Sequence, residues 1–356
     1  TVRPQGMGFV TGRRNLIING AMRIDQRNAG ASISCDANIY GLDRWQHVVS
    51  QASKLTVQQN AGSVTPPVGF SNYMGFTSTS AYSVGTTEYF YVQQQVEGYS
   101  IANLAWGTAS AAAVTLSFRV YSSLTGTFGG SLQNNAKTRS YPFTYTVSSA
   151  NTWTTISITI AGDTTGTWLT TNSAGITVIF GLGVGLTSLV GTAGAWASAD
   201  YRSATGATSV VGTSGATLYI TGVQLELGEN ASDFEHPSYG EELALCQRYY
   251  QYIGKGESYG HLGLGIAYNT TGIRLPVQMR PVGMRTIPSI TSSGSIRTAH
   301  QASSPNVTGV SIATSESTDN IVGVNVTVAS GLTQGYVYGI TNNNDTNAHI
   351  AFSAEL

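Results

Sequence analysis

The thirteen residues ATLYITGVQLELG, 216–228, decide the fold class. Leu218 and Ile220 share one side of an extended chain, and Val223 and Leu225 share it again after a one-residue slip at Gly222. A period of two is the signature of a half-buried strand, and a glycine at a slip marks a β-bulge. The same period recurs upstream. VTLSFRVYS (114–122) puts Val114, Leu116, Phe118 and Val120 on one face, and WTTISITIAG (153–162) does so with Ile156, Ile158 and Ile160. From about residue 15 to 228, such runs alternate with Gly/Ser/Thr turns and no helical pattern intervenes. Many short strands without crossover helices predict an all-β fold, a jelly-roll β-sandwich.

Composition agrees. The chain has 356 residues, of which 10% are charged and 41% hydrophobic, with 42 glycines and a net charge of -1. So much apolar residue argues against disorder. So little cationic charge excludes an electrostatic footprint for DNA or RNA, and no nucleic-acid partner is expected. A surface of hydroxyls and amides suits extracellular particles, fibres and sugar binders. The N-terminal residues carry no apolar signal-peptide core, and no apolar run is long enough to cross a membrane. The closest, GITVIFGLGVGLTSLVGTAGAWA (175–197), reads as a buried strand pair. Cys35 and Cys246 have no neighbouring partner and read as buried thiols.

One passage departs from the pattern. In DFEHPSYGEELALCQRYYQYI (233–253), Ser238 and Glu241 form an S-x-x-E capping box, and Leu243, Cys246, Tyr250 and Ile253 follow at helical spacing. A helix stopped by Gly254 is therefore predicted. Its face, with Tyr249 beside it, is expected to serve inter-domain packing or assembly. The expected organisation is an N-terminal arm (1–14), a jelly roll (15–235), a linking helix (236–257) and a second, smaller β-sandwich (258–356).

Several stretches together resemble a family of bacteriophage tail-fibre or appendage proteins. They are NLIINGAMRIDQRNAG (15–30), YGLDRW (40–45), GVQLELG (222–228), FEHPSYGEELALCQRYYQ (234–251), PVQMR (276–280) with Pro288 beyond it, and IAFSAEL (350–356). The opening also resembles the first strand of carbohydrate-binding jelly rolls, N-L-[IL]-x-N-G-D-F-E with a Trp some twenty residues later. In those sugar binders, acids after the Asn-Gly and in a late I-D-D-V strand hold a structural calcium. Here Ala21, Met22 and Arg23 follow Asn19-Gly20, and the late strand reads Ile220-Thr221-Gly222-Val223. The resemblance thus implies the fold but not the metal.

It further implies a virion location, other virion proteins as partners through the N-terminal arm, homo-oligomerisation as a trimer, and attachment to host surface glycans. Alternatives are a capsid-decoration or head-fibre protein, and a carbohydrate-binding module outside a virus. No cofactor, metal or membrane insertion is expected.

Catalysis is not expected either. Glycoside hydrolysis needs two carboxylates facing each other across a cleft. Asp25 and Asp36 read as solvated or turn-capping acids, Asp43 as the partner of Arg44 in a structural pair that fixes a turn, and Glu88 and Glu97 only bracket a strand. DFEH (233–236) lacks metal-ligand spacing, and GLGVGLTS lacks the lysine of a phosphate loop. The candidate ligand surface is TTEYFYVQQQVEGYS (86–100), which puts Tyr89, Tyr91, Gln93 and Gln95 on one face and Phe90, Val92, Gln94 and Val96 on the other. Sugars stack C–H faces on aromatic rings and satisfy their hydroxyls with amides.

Overall fold

The computed structural model describes residues 13–186, 188–301 and 303–356; the predicted N-terminal arm lies almost wholly outside them. The chain divides into two compact units, 1–242 and 243–356.

The first unit holds β1 (Ile33–Ser34), β2 (Ile39–Leu42), β3 (Trp45–Val49), β4 (Leu55–Gln59), β5 (Met74–Ser78), β6 (Tyr89–Glu97) and β7 (Val114–Ser122). There follow β8 (Gly126–Asn134), β9 (Ser140–Val147), β10 (Thr154–Ile160), β11 (Ala174–Val184), the short β12 (Val190–Gly191) and β13 (Ser203–Ala204), and β14 (Thr217–Leu227). Two six-stranded sheets form a jelly-roll sandwich, ordered β1-β4-β5-β14-β7-β10 and β2-β3-β6-β11-β8-β9, with every pairing inside them antiparallel. Val114, Leu116, Phe118 and Val120 meet Leu218, Ile220, Val223 and Leu225 in one fully buried core. The bulge of β14 falls where the slip predicts it, between Thr221 and Gln224. Gly222 there has φ +61°, and a Cβ would run into the Phe70 ring.

Residues 175–197 are not a strand pair. β11 is one long strand, covered on both faces, and only the two-residue β12 follows it. Bulkier residues could not follow the same path: a Cβ on Gly181 would crowd Ser203, and one on Gly183 would strike Val211. Neither cysteine is in a disulfide, and both are buried.

Helix α1 (Tyr239–Gln247) begins with the predicted capping box: the Ser238 amide donates to the Glu241 carboxylate (2.8 Å), and the Glu241 amide to the Ser238 hydroxyl (3.3 Å). It is shorter than the spacing predicts. Tyr250 and Ile253 belong to β15 (Tyr250–Gly254), which pairs with β23 (His349–Ser353), and Gly254 ends that strand rather than the helix. The aromatic and β-branched run YYQYI favours a strand once a partner is present; tertiary pairing overrides an apparent helical period.

The second unit also contains β16 (His261–Ala267), β17 (Gly272–Gln278), β18 (Ser289–Ser293), β19 (Ile296–Ala299), β20 (Val307–Ile312), β21 (Ile321–Val328) and β22 (Val337–Asn342). They form a three-stranded sheet, β15-β23-β18, and a six-stranded sheet, β19-β22-β16-β17-β21-β20. The core is built from small branched side chains such as Val322, Val324 and Val326. No described helix is long and apolar enough to cross a membrane.

Candidate functional site

Four of the stretches that carry the family resemblance converge around Asn19. Its side-chain amide donates to the carbonyls of Ile24 (2.8 Å) and Asp43 (3.0 Å) and accepts from the Ile24 amide (3.0 Å). Its backbone amide donates to the Glu242 carboxylate (2.6 Å), and its carbonyl accepts from Trp45 Nε1 (3.1 Å). Asn19 has φ +57°, a left-handed conformation that Asn tolerates better than most residues. Asn15 closes the other side, bonding the Val223 carbonyl and the Leu225 amide. Gly20 lies so close to the Val223 carbonyl that any Cβ would collide with it. The first segment, the YGLDRW strand, the GVQLELG strand and the start of the helix are therefore one buried polar joint.

The DFEH cluster belongs to the same joint. Glu235 accepts from the amides of Arg14 and Asn15, and His236 packs on Phe70 and Phe234. Asp43 takes the Gln26 amide and side chain and pairs with Arg27 (3.3 Å). Among the described residues no group of three or more His, Cys, Asp or Glu side chains could hold a metal ion.

The other acids are likewise committed to local structure. Asp25 caps the Asn28 and Gly30 amides. Asp36 accepts from Ser34 and Ser53, which hold its carboxyl below the usual range. Glu88 is held low by the Gly85 amide, then Tyr82 and Gln51. Glu97 is buried at the end of β6.

The alternation predicted for β6 is present. Phe90, Val92, Gln94 and Val96 face the core, and Gln94 exchanges two 2.8 Å hydrogen bonds with the backbone of Ile18. Tyr89, Tyr91, Gln93 and Gln95 share the outer face, but the structure treats them unequally. Tyr91 is 3% exposed, packed against Val48 and Ile179, and burial pushes its phenol up to about 12. The Arg202 guanidinium lies over the Tyr89 ring (4.2 Å) and near Tyr91 (5.7 Å), fixed by Asp200 (2.8 Å). The segment carrying Arg202 folds over this part of the sheet, and Asp200 and Tyr201 also receive Gln133. Tyr91 is therefore no open stacking platform.

The accessible part is an amide row. Gln93 donates to Gln46 (2.8 Å), and both are half-buried, as is Gln95 with Tyr89 at the far end of the strand. Arg44 donates to the Gln95 carbonyl (2.6 Å). Sequence reasoning missed Gln46 and Arg202. The first was readable, because in YGLDRWQHVV Trp45 and His47 point inward and Gln46 therefore outward. The second was not, because only the return of a distant loop places it.

A second aromatic array escaped the sequence reading. On the outer face of the opposite sheet, Tyr121 and Tyr219 stack (5.3 Å, 6° between planes), Tyr73 stacks on Tyr219 (5.0 Å), and Trp153 closes on Tyr73 and Tyr121 (5.5 Å each). Tyr121 and Trp153 remain half-buried.

No protein-family model and no curated protein matches the chain. Solved structures that are similar include the enzymatically active domain of tailspike protein 4 of bacteriophage CBA120, at TM-score 0.33 and 10% identity over 60% of this chain. The match spans only 21% of that tailspike chain. Carbohydrate-binding modules are also similar. TmCBM61, solved with β-1,4-galactotriose, has TM-score 0.29 and 11% identity over 61% of this chain and 100% of its own. A family 11 module from Clostridium thermocellum, solved with a β-1,3-1,4-mixed-linked tetrasaccharide, has TM-score 0.27 and 14% identity over 58% and 98%. All are distant likenesses, and the jelly-roll assignment rests on the strand pairing itself.

Proposed function

We propose that this chain is a non-enzymatic structural and attachment protein of a bacteriophage particle, a tail fibre or appendage, whose jelly roll holds host-surface glycans. The observation that carries the glycan reading is the amide row of Gln46, Gln93 and Gln95 beside Tyr89. It offers donors, acceptors and one aromatic edge on a sheet face, which is the chemistry a sugar demands. The phage reading rests on the sequence stretches that resemble that family, four of which meet around Asn19. Adhesion without catalysis fits carboxylates spent on turns, caps and Arg pairs. Weak single sites would gain strength from several copies on one particle.

The test is incubation of the purified protein with host surface polysaccharide, followed by sizing of the polysaccharide. Intact polysaccharide retained by the parent but not by a folded Tyr89→Ala/Gln93→Ala variant is the expected result. Shorter chains would overturn the non-enzymatic reading. A second reading places the sugar on the opposite sheet, because Trp153 and Tyr121 keep ring surface accessible there; loss of retention in Trp153→Ala instead would select it.

The assembly proposed is a homo-oligomer, a trimer. In the second unit Leu264 and Ile266 of β16, Val337 of β22 and Tyr336 just before it are about half exposed or more, and Ile266 pairs directly with Val337. A neighbouring apolar cluster of this kind marks an interaction surface. A second copy fits it, since Arg274, which pairs with Ile266 across the strands, is already bound to Glu316. Native mass measurement should give a multiple of 37.4 kDa, and a monomer at micromolar concentration would refute the assembly.

A further inference from the structure

A cleft of about 370 Å³ opens in the first unit between Ala21, Arg23, Gly69, Phe70, Ser71 and His236. It shares His236 with the joint around Asn19 and no lining residue with the β6 face. Its size is that of a small-molecule site. Its walls combine two chemistries. Phe70 and His236 in its wall close an aromatic trio with Phe234 behind them, ring centroids 4.8 to 5.3 Å apart. Facing the cleft is Arg23.

Arg13, Arg14 and Arg27, close to Arg23 in sequence, each have a carboxylate partner. Among the described residues Arg23 has neutral partners only, the Pro237 carbonyl (3.1 Å) and the face of the Tyr239 ring (5.6 Å). The acids nearest in sequence to Arg23 and to its partners are engaged elsewhere, Asp25 by the amides of Asn28 and Gly30, Glu235 by those of Arg14 and Asn15, and Glu241 by Ser238. Among the described residues no carboxylate compensates the guanidinium, which is held by one hydrogen bond and a ring, with donors left over. A planar fork of that kind recognises carboxylate or phosphate.

The cleft is also built before any ligand arrives. Gly222 leaves the space that Phe70 fills, the Phe70 amide donates to Pro67 (3.0 Å), and Thr221 fixes the Asn72 carbonyl (2.7 Å). Pre-organisation lowers the ordering cost of binding.

We propose that this cleft binds an anionic sugar unit, its negative group on the Arg23 guanidinium and its C–H face against Phe70 and His236, with the Ser71 hydroxyl at the rim. The shared chemistry is a negative charge on a pyranose, supplied by a uronic acid or by a sugar phosphate.

The experiment titrates the full chain, followed by nuclear magnetic resonance, with methyl glucuronide, glucose 6-phosphate and the neutral methyl glucoside. At least one charged probe should bind about tenfold or more tightly than the glucoside, weakening with salt. Which of the two does so distinguishes carboxylate from phosphate. Arg23→Gln should abolish the preference at an unchanged melting temperature, and Arg23→Lys should restore only part of it. Equal affinity for all three probes, or an Arg23→Gln variant that keeps the preference, overturns the proposal. The Tyr89→Ala/Gln93→Ala variant should retain the charged probe in full, so failure of the β6 face and failure of the cleft are separately visible.

Discussion

Asn19 and Gln93 are both amide side chains of the same jelly roll, and they live in opposite conditions. Asn19 is fully buried, and its side chain reaches two carbonyls and an amide that have no access to water. Gln93 is half-buried on the outer face and shares one hydrogen bond with Gln46, itself in reach of solvent. Net hydrogen-bond energies are similar in the two places; what differs is the cost of leaving a partner unmade. A sealed polar joint can hold chain segments together but has no capacity left for a ligand. An open amide row contributes little to stability, and its unspent donors and acceptors are what a sugar can use.

The largest effect should come from Asn19→Ala. It orphans the Asp43 carbonyl and both polar groups of Ile24, and it puts Ala at a left-handed position. A loss of about 3 to 5 kcal/mol is expected. All five tryptophans lie in the first unit, so urea unfolding followed by tryptophan fluorescence reads that unit alone. A midpoint near the parent's would mean that the joint does not hold the sandwich together.

The joint also shows what a sequence reveals. Strand alternation and the bulge at Gly222 were legible because burial on one face imposes a period of two on the side chains. The capping box was legible because its two partners lie three residues apart. Asn19, Asp43 and Glu242 were recognisable only as members of motifs, since their contacts span 24 and 223 positions. The helix was overextended because Tyr250 and Ile253 fit a helical spacing as well as a strand, and only the partner strand β23 decides. The candidate face was half legible. Alternation placed Tyr89, Tyr91, Gln93 and Gln95 together, but alternation says nothing of a loop that returns from residue 202 to cover Tyr91.

The next effect in size is set by pH. His47 is buried on the inward side of β3, next in sequence to the outward Gln46. Burial lowers its pKa to about 4 from 6.5, with the Ala37 backbone and Asp36 opposing in part. Between these two values the unfolded chain binds a proton that the folded chain refuses. The stability from neutral His47 is therefore complete above about pH 6.5 and is lost as pH falls through 4. The difference corresponds to about 3 kcal/mol. Tryptophan-monitored unfolding between pH 7.5 and 4 should show this slope, and His47→Leu should flatten it. An unchanged slope in that variant would place the acid sensitivity elsewhere.

The smallest effect on stability is expected at the open row, and it tests the contrast from the other side. Gln93→Ala removes one hydrogen bond between two half-buried amides, and water can replace the lost partner at Gln46. The cost should stay within about 0.5 kcal/mol, as for most surface substitutions away from special features. Glycan retention should nonetheless fall about tenfold, because a sugar hydroxyl bound at Gln93 has no substitute donor at the same place. Stability and binding then separate at Gln93 in a way they cannot at Asn19, where any change first loosens the fold. Should Gln93→Ala instead cost about 2 kcal/mol or more, the row is sealed like the joint around Asn19. The glycan would then have to be sought on the Trp153 face or in the Arg23 cleft.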